Sequence, residues 1–218
     1  VYYTAGSGLK PEKATSYEIG YLGRPGKLGI SANVFFMEVM GFLGFKYTGV
    51  VTDGKRERKG FNLGDANEIG SEVELMYPLS SWLTAKINYT YLEAEIEEED
   101  IPNVPAEYVE GTPHNMMNME LRAKFKNGLS ANLQANYVDK VDFVLLQDWD
   151  DIAGDEVGGR AKAYTIVNMR LGYDFKLGGK DAQLALSAFN LFDKKHDEYP
   201  VRNARPGRRI LGFFSYKF

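Results

Sequence analysis

Hydrophobic and polar residues alternate with a period of two along most of the chain, and no long stretch follows the period of a helix. The last stretch shows this most clearly. One face of its predicted strand carries Ile210, Gly212, Phe214, Tyr216 and Phe218. The other face carries Arg209, Leu211, Phe213, Ser215 and Lys217. Alternation of this kind places successive side chains on opposite faces of a sheet and predicts an all-β protein.

Nine segments show the pattern and are predicted strands: 14–23, 28–40, 61–77, 82–95, 113–126, 129–145, 161–176, 182–192 and 205–218. Short turns with the sequences RPGK, PLSS, KNG and LGGKD alternate with long connections. The predicted long loops are 41–60, 93–112, 146–160 and 193–204. This regular change between short and long predicts an antiparallel up-and-down sheet with one smooth rim and one rim of loops.

Aromatic residues of the apolar face cluster beside the short turns. They are Tyr21, Tyr77, Trp82, Phe125, Tyr173, Phe175 and Tyr216. A band of this kind is typical of a membrane interface. A soluble antiparallel sheet with one polar face also alternates, but it would not need such a band or unequal rims. The pattern predicts part of a transmembrane β-barrel in the outer membrane, with short periplasmic turns, long extracellular loops and a periplasmic C-terminus.

Composition narrows the function further. The net charge of −4 argues against a nucleic-acid partner, and the lack of cysteine excludes a disulfide framework or a thiol nucleophile. There is no run of about 18 apolar residues, as a transmembrane helix would need. The chain begins at Val1, inside the strand-like segment VYYT, and its nine strands are an odd number, whereas bacterial barrels have even counts. We therefore expect an N-terminal part to be missing.

Four segments resemble TonB-dependent outer-membrane receptors. They are LKPEKATSYEIGY (9–21), NEIGSEVEL (67–75), AFNLFDKKHDEY (188–199) and RPGRRILGFFSYKF (205–218). The resemblance implies a barrel of about 22 strands around a plug. Residues 1–218 would form its C-terminal portion, without the plug, the earlier strands or the box that contacts TonB. The terminal aromatics Phe214, Tyr216 and Phe218 would carry the signal that is read by the barrel-assembly machinery.

The same resemblance implies active uptake of a scarce nutrient complex, of the ferric siderophore, haem or cobalamin class, energised through TonB. It implies a protein that is not an enzyme. The implied partners are the TonB complex through the missing plug, outer-membrane lipid and lipopolysaccharide, the barrel-assembly machinery and a small nutrient ligand.

Two sets of residues are candidates for contacts inside and above this barrel. The predicted lumen face, which would hold the plug, carries Glu72, Glu74, Lys86, Glu120, Arg122, Lys124 and Arg170. These charges could also simply pair across strands. The predicted loops carry the aromatic residues Phe42, Phe45, Tyr47, Phe143 and Trp149, as a platform for a ligand or as loop packing.

The acidic segment DWDDIAGDE is the candidate metal site. Its carboxylates Asp148, Asp150, Asp151 and Asp155 could bind Ca²⁺, which takes six to eight oxygen ligands. The segment lacks the spacing of a complete calcium loop, and a solvated extracellular loop is the competing interpretation. No other cofactor is expected.

Two alternative functions stay open at this point. One is a passive outer-membrane porin or adhesin without TonB coupling. The other is an outer-membrane barrel enzyme with loop carboxylates and a histidine as its site. The candidate bases are His114 and His196, and neither lies near a recognisable nucleophile motif.

Overall fold

The computed structural model describes residues 1–98, 112–145, 157–196 and 205–217. Within these ranges the regular structure consists of strands: β1 Tyr2–Thr4, β2 Lys13–Gly23, β3 Gly29–Thr52, β4 Lys55–Pro78, β5 Leu83–Glu98, β6 Asn115–Lys124, β7 Leu129–Val138, β8 Val141–Leu145, β9 Val157–Ala161, β10 Tyr164–Leu177, β11 Lys180–Phe189 and β12 Arg209–Tyr216. The same residues include no helix that is long and apolar enough to cross a membrane.

Nine of the strands form one antiparallel meander in the order β2-β3-β4-β5-β6-β7-β10-β11-β12. Each strand therefore pairs with its neighbour along this path, and the predicted all-β, up-and-down fold is confirmed. β8 and β9 pair with each other as a separate antiparallel pair of strands. Among the residues that the structure describes, β2 and β12 are the two edges of the sheet and do not pair with each other.

The short turns follow from local chemistry. Gly178 and Gly179 have φ angles of 58° and 81°, which fits the mirror-image turn that suits the twist of a hairpin. In the PLSS turn, the Ser80 hydroxyl oxygen accepts bonds from the amides of Trp82 (3.3 Å) and Leu83 (3.1 Å). These short turns join neighbouring strands at one rim of the sheet, which we call the short-turn rim.

The opposite rim rises into one tall hairpin. Residues 41–60 were predicted to be a loop, but β3 continues to Thr52 and β4 starts at Lys55. The turn between them is Asp53–Gly54, with φ angles of 52° and 72°, a sequence that is typical of a two-residue hairpin. Register shifts between Val39 and Phe42 mark a bulge at Gly41. The prediction of a loop was wrong because the bulge at Gly41 interrupts the alternation of apolar and polar residues. Beyond the bulge, β3 and β4 pair again.

Three other predicted boundaries are corrected. The segment 129–145 is two strands, because Asp139 interrupts it and its carboxylate accepts bonds from Asn115 (2.8 Å) and from the Lys140 amide (2.8 Å). β5 extends to Glu98, inside a predicted acidic loop, since it stays paired with β4 up to Gly64. β11 ends at Phe189 because Asn190 has a φ of 50°.

The first twelve residues form a strap against the tall hairpin. β1 pairs in parallel with β4, with Tyr2 opposite Glu57 and Thr4 opposite Lys59. The strap then crosses the β3–β4 ribbon before entering β2. It approaches the β4 backbone closely at Gly6, where an added Cβ would lie 2.0 Å from the carbonyl oxygen of Gly60. This contact explains why a side chain is excluded at that point.

The apolar face of the sheet covers no core. Among the described residues, the buried hydrophobic side chains are only Leu63, Val141, Ala182, Ala185 and Ala188. The face predicted to meet lipid is instead exposed from edge to edge. It includes Ile19, Val34, Ile69, Ile87, Met119, Leu133, Leu171, Leu186 and Ile210. A surface this large and apolar requires a hydrocarbon environment.

A pair of adjacent residues on β7 tests which face meets lipid. Leu133 lies opposite Leu121 and Met169 on the apolar face, whereas Gln134 lies opposite Glu120 and Asn168 on the polar face. We expect Leu133→Arg to destabilise the folded protein in membranes by about 2–4 kcal/mol. Gln134→Arg is the matched control and should have little effect. The folded fraction in outer membranes, read from heat-modifiable gel mobility, measures both; equal losses would contradict the assignment of faces.

Candidate functional site

The predicted lumen charges share one face of the sheet. Strand register shows this directly, because residues that pair across strands point to the same side. One row across β4, β5, β6, β7 and β10 consists of Met76, Lys86, Glu120, Gln134 and Asn168. The next consists of Thr84, Arg122, Asn132, Arg170 and Ser187. The same pairing places Glu72, Glu74 and Lys124 on this polar face.

Part of this charge is neutralised within the sheet. Arg122 donates two bonds of 2.7 Å to the two carboxylate oxygens of Glu120, and Asn132 donates a third. Lys86 forms an ion pair of 2.8 Å with Glu74 across β4 and β5. Only a minor part of the Glu120 side chain is exposed, at 11%, whereas Arg122 is 61% exposed. The guanidinium therefore remains exposed on the polar face of the sheet.

The aromatic residues predicted to form a ligand platform lie on two different strands, and one of them lies outside the described residues. Phe42 and Phe45 belong to β3, and Phe45 is half exposed with its ring in edge contact with Tyr3 at 5.2 Å. The backbones of Tyr47 and Phe143 lie in β3 and β8, opposite Arg58 and Gly159. Trp149 lies outside the described residues. The structure thus brings Phe45 to a strand surface beside the strap.

Two polar side chains, those of Asn62 and Glu12, tie the strap to the bulge of the tall hairpin. Asn62 accepts a bond from the Lys10 amide (2.9 Å) and donates to the carbonyl oxygens of Lys10 (3.0 Å) and Gly41 (2.6 Å). Glu12 accepts a bond of 2.6 Å from the Leu43 amide. A cavity of about 670 Å³ lies between the strap and the bulge.

Glu57 links three segments of the loop rim. Its two carboxylate oxygens accept bonds from the hydroxyls of Thr4 (2.9 Å) on β1 and Thr48 (2.7 Å) on β3. The two hydroxyl bonds, Thr48 first, hold the pKa of Glu57 below its ordinary value of 4.5. A membrane span needs about ten residues of strand, so from Tyr77 at the short-turn rim it ends well below Glu57. The tie therefore lies in water.

The proposed metal ligands Asp148, Asp150, Asp151 and Asp155 all lie outside the described residues. Among the residues that the structure does describe, no group of three or more His, Asp or Glu side chains could hold a metal ion. At the C-terminal end, Phe214 pairs with Leu184 and Tyr216 pairs with Ala182, and both belong to the apolar face. Phe218 is outside the described residues.

A pocket on the polar face was missed by the sequence reasoning. It lies where β7, β10, β11 and β12 approach the loop rim, and its volume is about 490 Å³. We call it the rim pocket. It is lined by Asn136, Val138, Tyr164, Ile166, Asn168, Phe189, Asn190, His196, Arg205, Pro206, Gly207 and Arg209. The signal that could have found it is the arginine run at 205–209, whose alternation places Arg209 on the polar face.

The comparison with protein families gives one match. The family described as TonB dependent receptor-like, beta-barrel, matches residues 1–191. It covers most of the chain and confirms the resemblance inferred from the four sequence segments. Its members sit in the outer membrane. A comparison with curated proteins found no match.

Solved structures share the fold. The FrpB iron transporter from Neisseria meningitidis (F5-1 variant) has a TM-score of 0.72 at 20% identity, over 99% of this chain and 33% of that one. For the copper transporter OprC the TM-score is 0.68 at 18% identity, over 96% and 34%. The outer-membrane ferripyoverdine receptor of Pseudomonas aeruginosa, bound to ferripyoverdine, has 0.68 at 17%, over 93% and 27%.

The chain therefore spans about a third of the length of these structures or less. The family and these structures are described as receptors and transporters. The prediction that the chain is not an enzyme is confirmed, and the alternative of a barrel enzyme is wrong.

The Glu57 tie predicts a pH dependence of the strap. Because the pKa of Glu57 is lowered by folding, its stabilising contribution is complete above the ordinary pKa and is lost as the pH falls through the lower, folded value. We expect residues 2–4 to show more amide hydrogen-exchange protection in the wild type than in Glu57→Ala at about pH 6. At each pH the two proteins are compared under the same conditions. A difference that persists below the folded pKa would contradict this role.

Proposed function

Because the chain belongs to the family of TonB-dependent receptor-like β-barrels, we propose that it forms the wall of an outer-membrane transporter for a scarce nutrient complex. The nutrient is of the ferric siderophore, haem or cobalamin class, and uptake is energised through TonB. The observation that carries the proposal is the sheet itself, in which an exposed apolar face is backed by a charged polar face. A membrane wall around an aqueous, occupied interior needs both.

We propose further that residues 1–218 are the C-terminal portion of a larger barrel whose interior holds a plug. Two observations support this proposal. Within the described residues, the outer edges of β2 and β12 pair with no strand, so more strands are needed on each side. The similar structures are also about three times as long as this chain. In this arrangement the short-turn rim and the C-terminus are periplasmic, and Phe214 and Tyr216 belong to the assembly signal.

The polar face then has a defined role. Arg122, Glu72, Lys124 and Arg170 reach toward the plug, which contacts TonB on the periplasmic side. The tall β3–β4 hairpin and Phe45 are extracellular and take part in ligand capture. Support for a metal chelate as the ligand comes from the similar structures, which include an iron transporter, a copper transporter and a ferripyoverdine receptor.

Energised uptake is tested with the protein expressed from its natural reading frame. Cells should accumulate a labelled ferric siderophore, haem or cobalamin only when the gene is present, because the barrel provides the route. Accumulation should stop when TonB is deleted or the proton gradient is dissipated. Uptake that continues without TonB would identify a passive porin, and no uptake of any tested nutrient would favour an adhesin.

The contact between polar face and plug makes a separate prediction. In Glu72→Gln/Glu74→Gln, the Lys86 ion pair and a negatively charged surface are lost, and we expect the plug to be held less firmly. Leak conductance in planar lipid bilayers should rise relative to wild type. Asp53→Asn, at the tip of the tall hairpin, removes a carboxylate far from the interior and is the control. Unchanged conductance in the double variant would contradict a contact with the plug.

A further inference from the structure

The two faces of the last strand, β12, are nearly alike in polarity. Residues 210–214 are all apolar or glycine. On the apolar face, Ile210 is 63% and Phe214 is 55% exposed. On the polar face, Leu211 is 57% and Phe213 is 51% exposed. Because both faces carry large apolar side chains, burial in the membrane does not by itself decide which face of β12 meets lipid.

Charge does not decide it either. Arg209 begins β12 and Lys217 follows its last residue, so both lie at the rims of the sheet, where long side chains can reach water from either face. The polar-face residues of β11 that lie opposite Leu211 and Phe213 are the small, neutral Ser187 and Ala185. A slip of β12 by one residue turns every side chain to the opposite face, and here it would cost little in burial or in ion pairs.

The connection to β12 also leaves the register open. Strands joined by a short turn take their register from the turn, as β10 and β11 do at Gly178 and Gly179. β11 and β12 are instead joined by residues 190–208, of which 197–204 lie outside the described residues. A connection of this length does not select one register, so the pairing observed must be fixed by other contacts.

The chain that leaves β11 is held in one conformation. Asn190 and Asp193 have φ angles of 50° and 54°, which these residue types adopt more readily than most others. The Asn190 side chain, only 5% exposed, accepts a bond from the Lys194 amide (2.8 Å) and donates to the Lys194 carbonyl oxygen (2.9 Å). The Asp193 amide donates to the Asn190 carbonyl oxygen (2.9 Å). These bonds fix Asp193 relative to the end of β11.

From this position the Asp193 carboxylate binds the chain that enters β12. It accepts a bond of 2.7 Å from the amide of Arg208, the residue before Arg209, which pairs with Phe189. Gly207 permits the approach, since an added Cβ would lie 2.5 Å from the same carboxylate oxygen. The Arg209 guanidinium also lies over the Phe189 ring at 5.5 Å. A slip of one residue would move the Arg208 amide by about 3.4 Å and break the bond to Asp193.

We propose that Asp193 is a positioning residue that sets the register of the last strand. Its carboxylate, fixed at the end of β11 through Asn190, binds the Arg208 amide in one pairing of β11 with β12 and not in the neighbouring ones. This register places Phe214 and Tyr216 on the apolar face. The role goes beyond the proposed function, because it concerns the assembly of the wall and holds for any nutrient or none.

Disulfide cross-linking reads the register directly, since residues 1–218 contain no cysteine. The Lys217 amide donates to the Asp181 carbonyl oxygen (2.9 Å), so Leu186 and Gly212 form a non-hydrogen-bonded pair, in which the Cβ atoms lie close together. A Cβ added at Gly212 meets no atom within 4 Å. Leu186→Cys/Gly212→Cys therefore reports the native register. Leu186→Cys/Leu211→Cys and Leu186→Cys/Phe213→Cys report the two slips of one residue.

The pairs are introduced into the protein expressed from its natural reading frame, and disulfide-linked peptides from outer membranes are identified by mass spectrometry after oxidation. With Asp193 present, we expect the native pair to cross-link and the two offset pairs not to. In Asp193→Ala, the ratio of offset to native cross-links should rise about tenfold, the change expected for loss of one hydrogen bond to a charged group. Gly207→Ala keeps Asp193 but displaces its carboxylate, and should raise the ratio in the same direction.

Two control variants separate the bond from other effects. Asp193→Asn keeps an oxygen acceptor and a residue type that tolerates a positive φ, so it should retain most of the native pairing. Asp53→Ala makes the same change as Asp193→Ala at a φ of 52°, in the turn of the tall hairpin, and should leave the ratio unchanged. Heat-modifiable gel mobility shows which fraction of each variant is folded, and cross-links are counted in that fraction.

Each outcome bears on the role of Asp193 alone. Offset cross-links in Asp193→Ala, with Asp193→Asn close to the wild type, support the role. An unchanged ratio in Asp193→Ala overturns it; where that variant yields no folded protein, the ratio in Gly207→Ala decides in the same way. An equal rise in Asp53→Ala or in Asp193→Asn also overturns it, because loss of the acceptor is then not the cause. None of these results depends on uptake or on TonB, so they stand whether or not the proposed transport is confirmed.

Discussion

The whole structure depends on a sheet that has an apolar face and no core beneath it. In water that face would leave side chains such as Ile19, Leu186 and Ile210 exposed, and folding would gain almost nothing from burial. In hydrocarbon the same face is solvated, but every backbone amide and carbonyl must then bond within the protein. Within the described residues, the nine-strand meander meets this demand except along the outer edges of β2 and β12, where the proposed larger barrel would supply neighbouring strands.

The same constraint explains how polar chemistry is distributed. Inside the span, charges are confined to one face, where they pair laterally, as Glu120 does with Arg122 and Asn132. Above the span, both faces of the β3–β4 hairpin meet water. There the chain can use ordinary hydrogen bonds between segments, and Asn62 and Glu57 each join the strap to the hairpin. The strap and the rim pocket both lie at the loop rim, next to the end of the membrane span.

Alternation was enough to predict the strands of the meander, their order and the faces of residues such as Lys86 and Arg170, because register follows from a period of two. It could not predict that 41–60 continues as a hairpin, since the bulge at Gly41 interrupts the period. The parallel pairing of β1 joins residues more than fifty positions apart and leaves no local pattern. The rim pocket was missed for a related reason. His196 and Arg209 come together only after the segment behind β11 folds back through Asn190.

The parallel pairing of β1 also has a consequence for the order of assembly. Each strand of the meander pairs with the next strand along the path, whereas β1 pairs with β4 across more than fifty residues of chain, which include β2 and β3. Closing that much chain costs more conformational entropy than closing the short turns, so we expect this pairing to form late. Three residue pairs join β1 to β4, and side-chain bonds of Asn62, Glu12 and Glu57 add to them, but none of these contacts is a strand pair of the meander. Loss of the strap would therefore leave every strand pair of the meander in place, and its effect would be confined to the outer end of the tall hairpin.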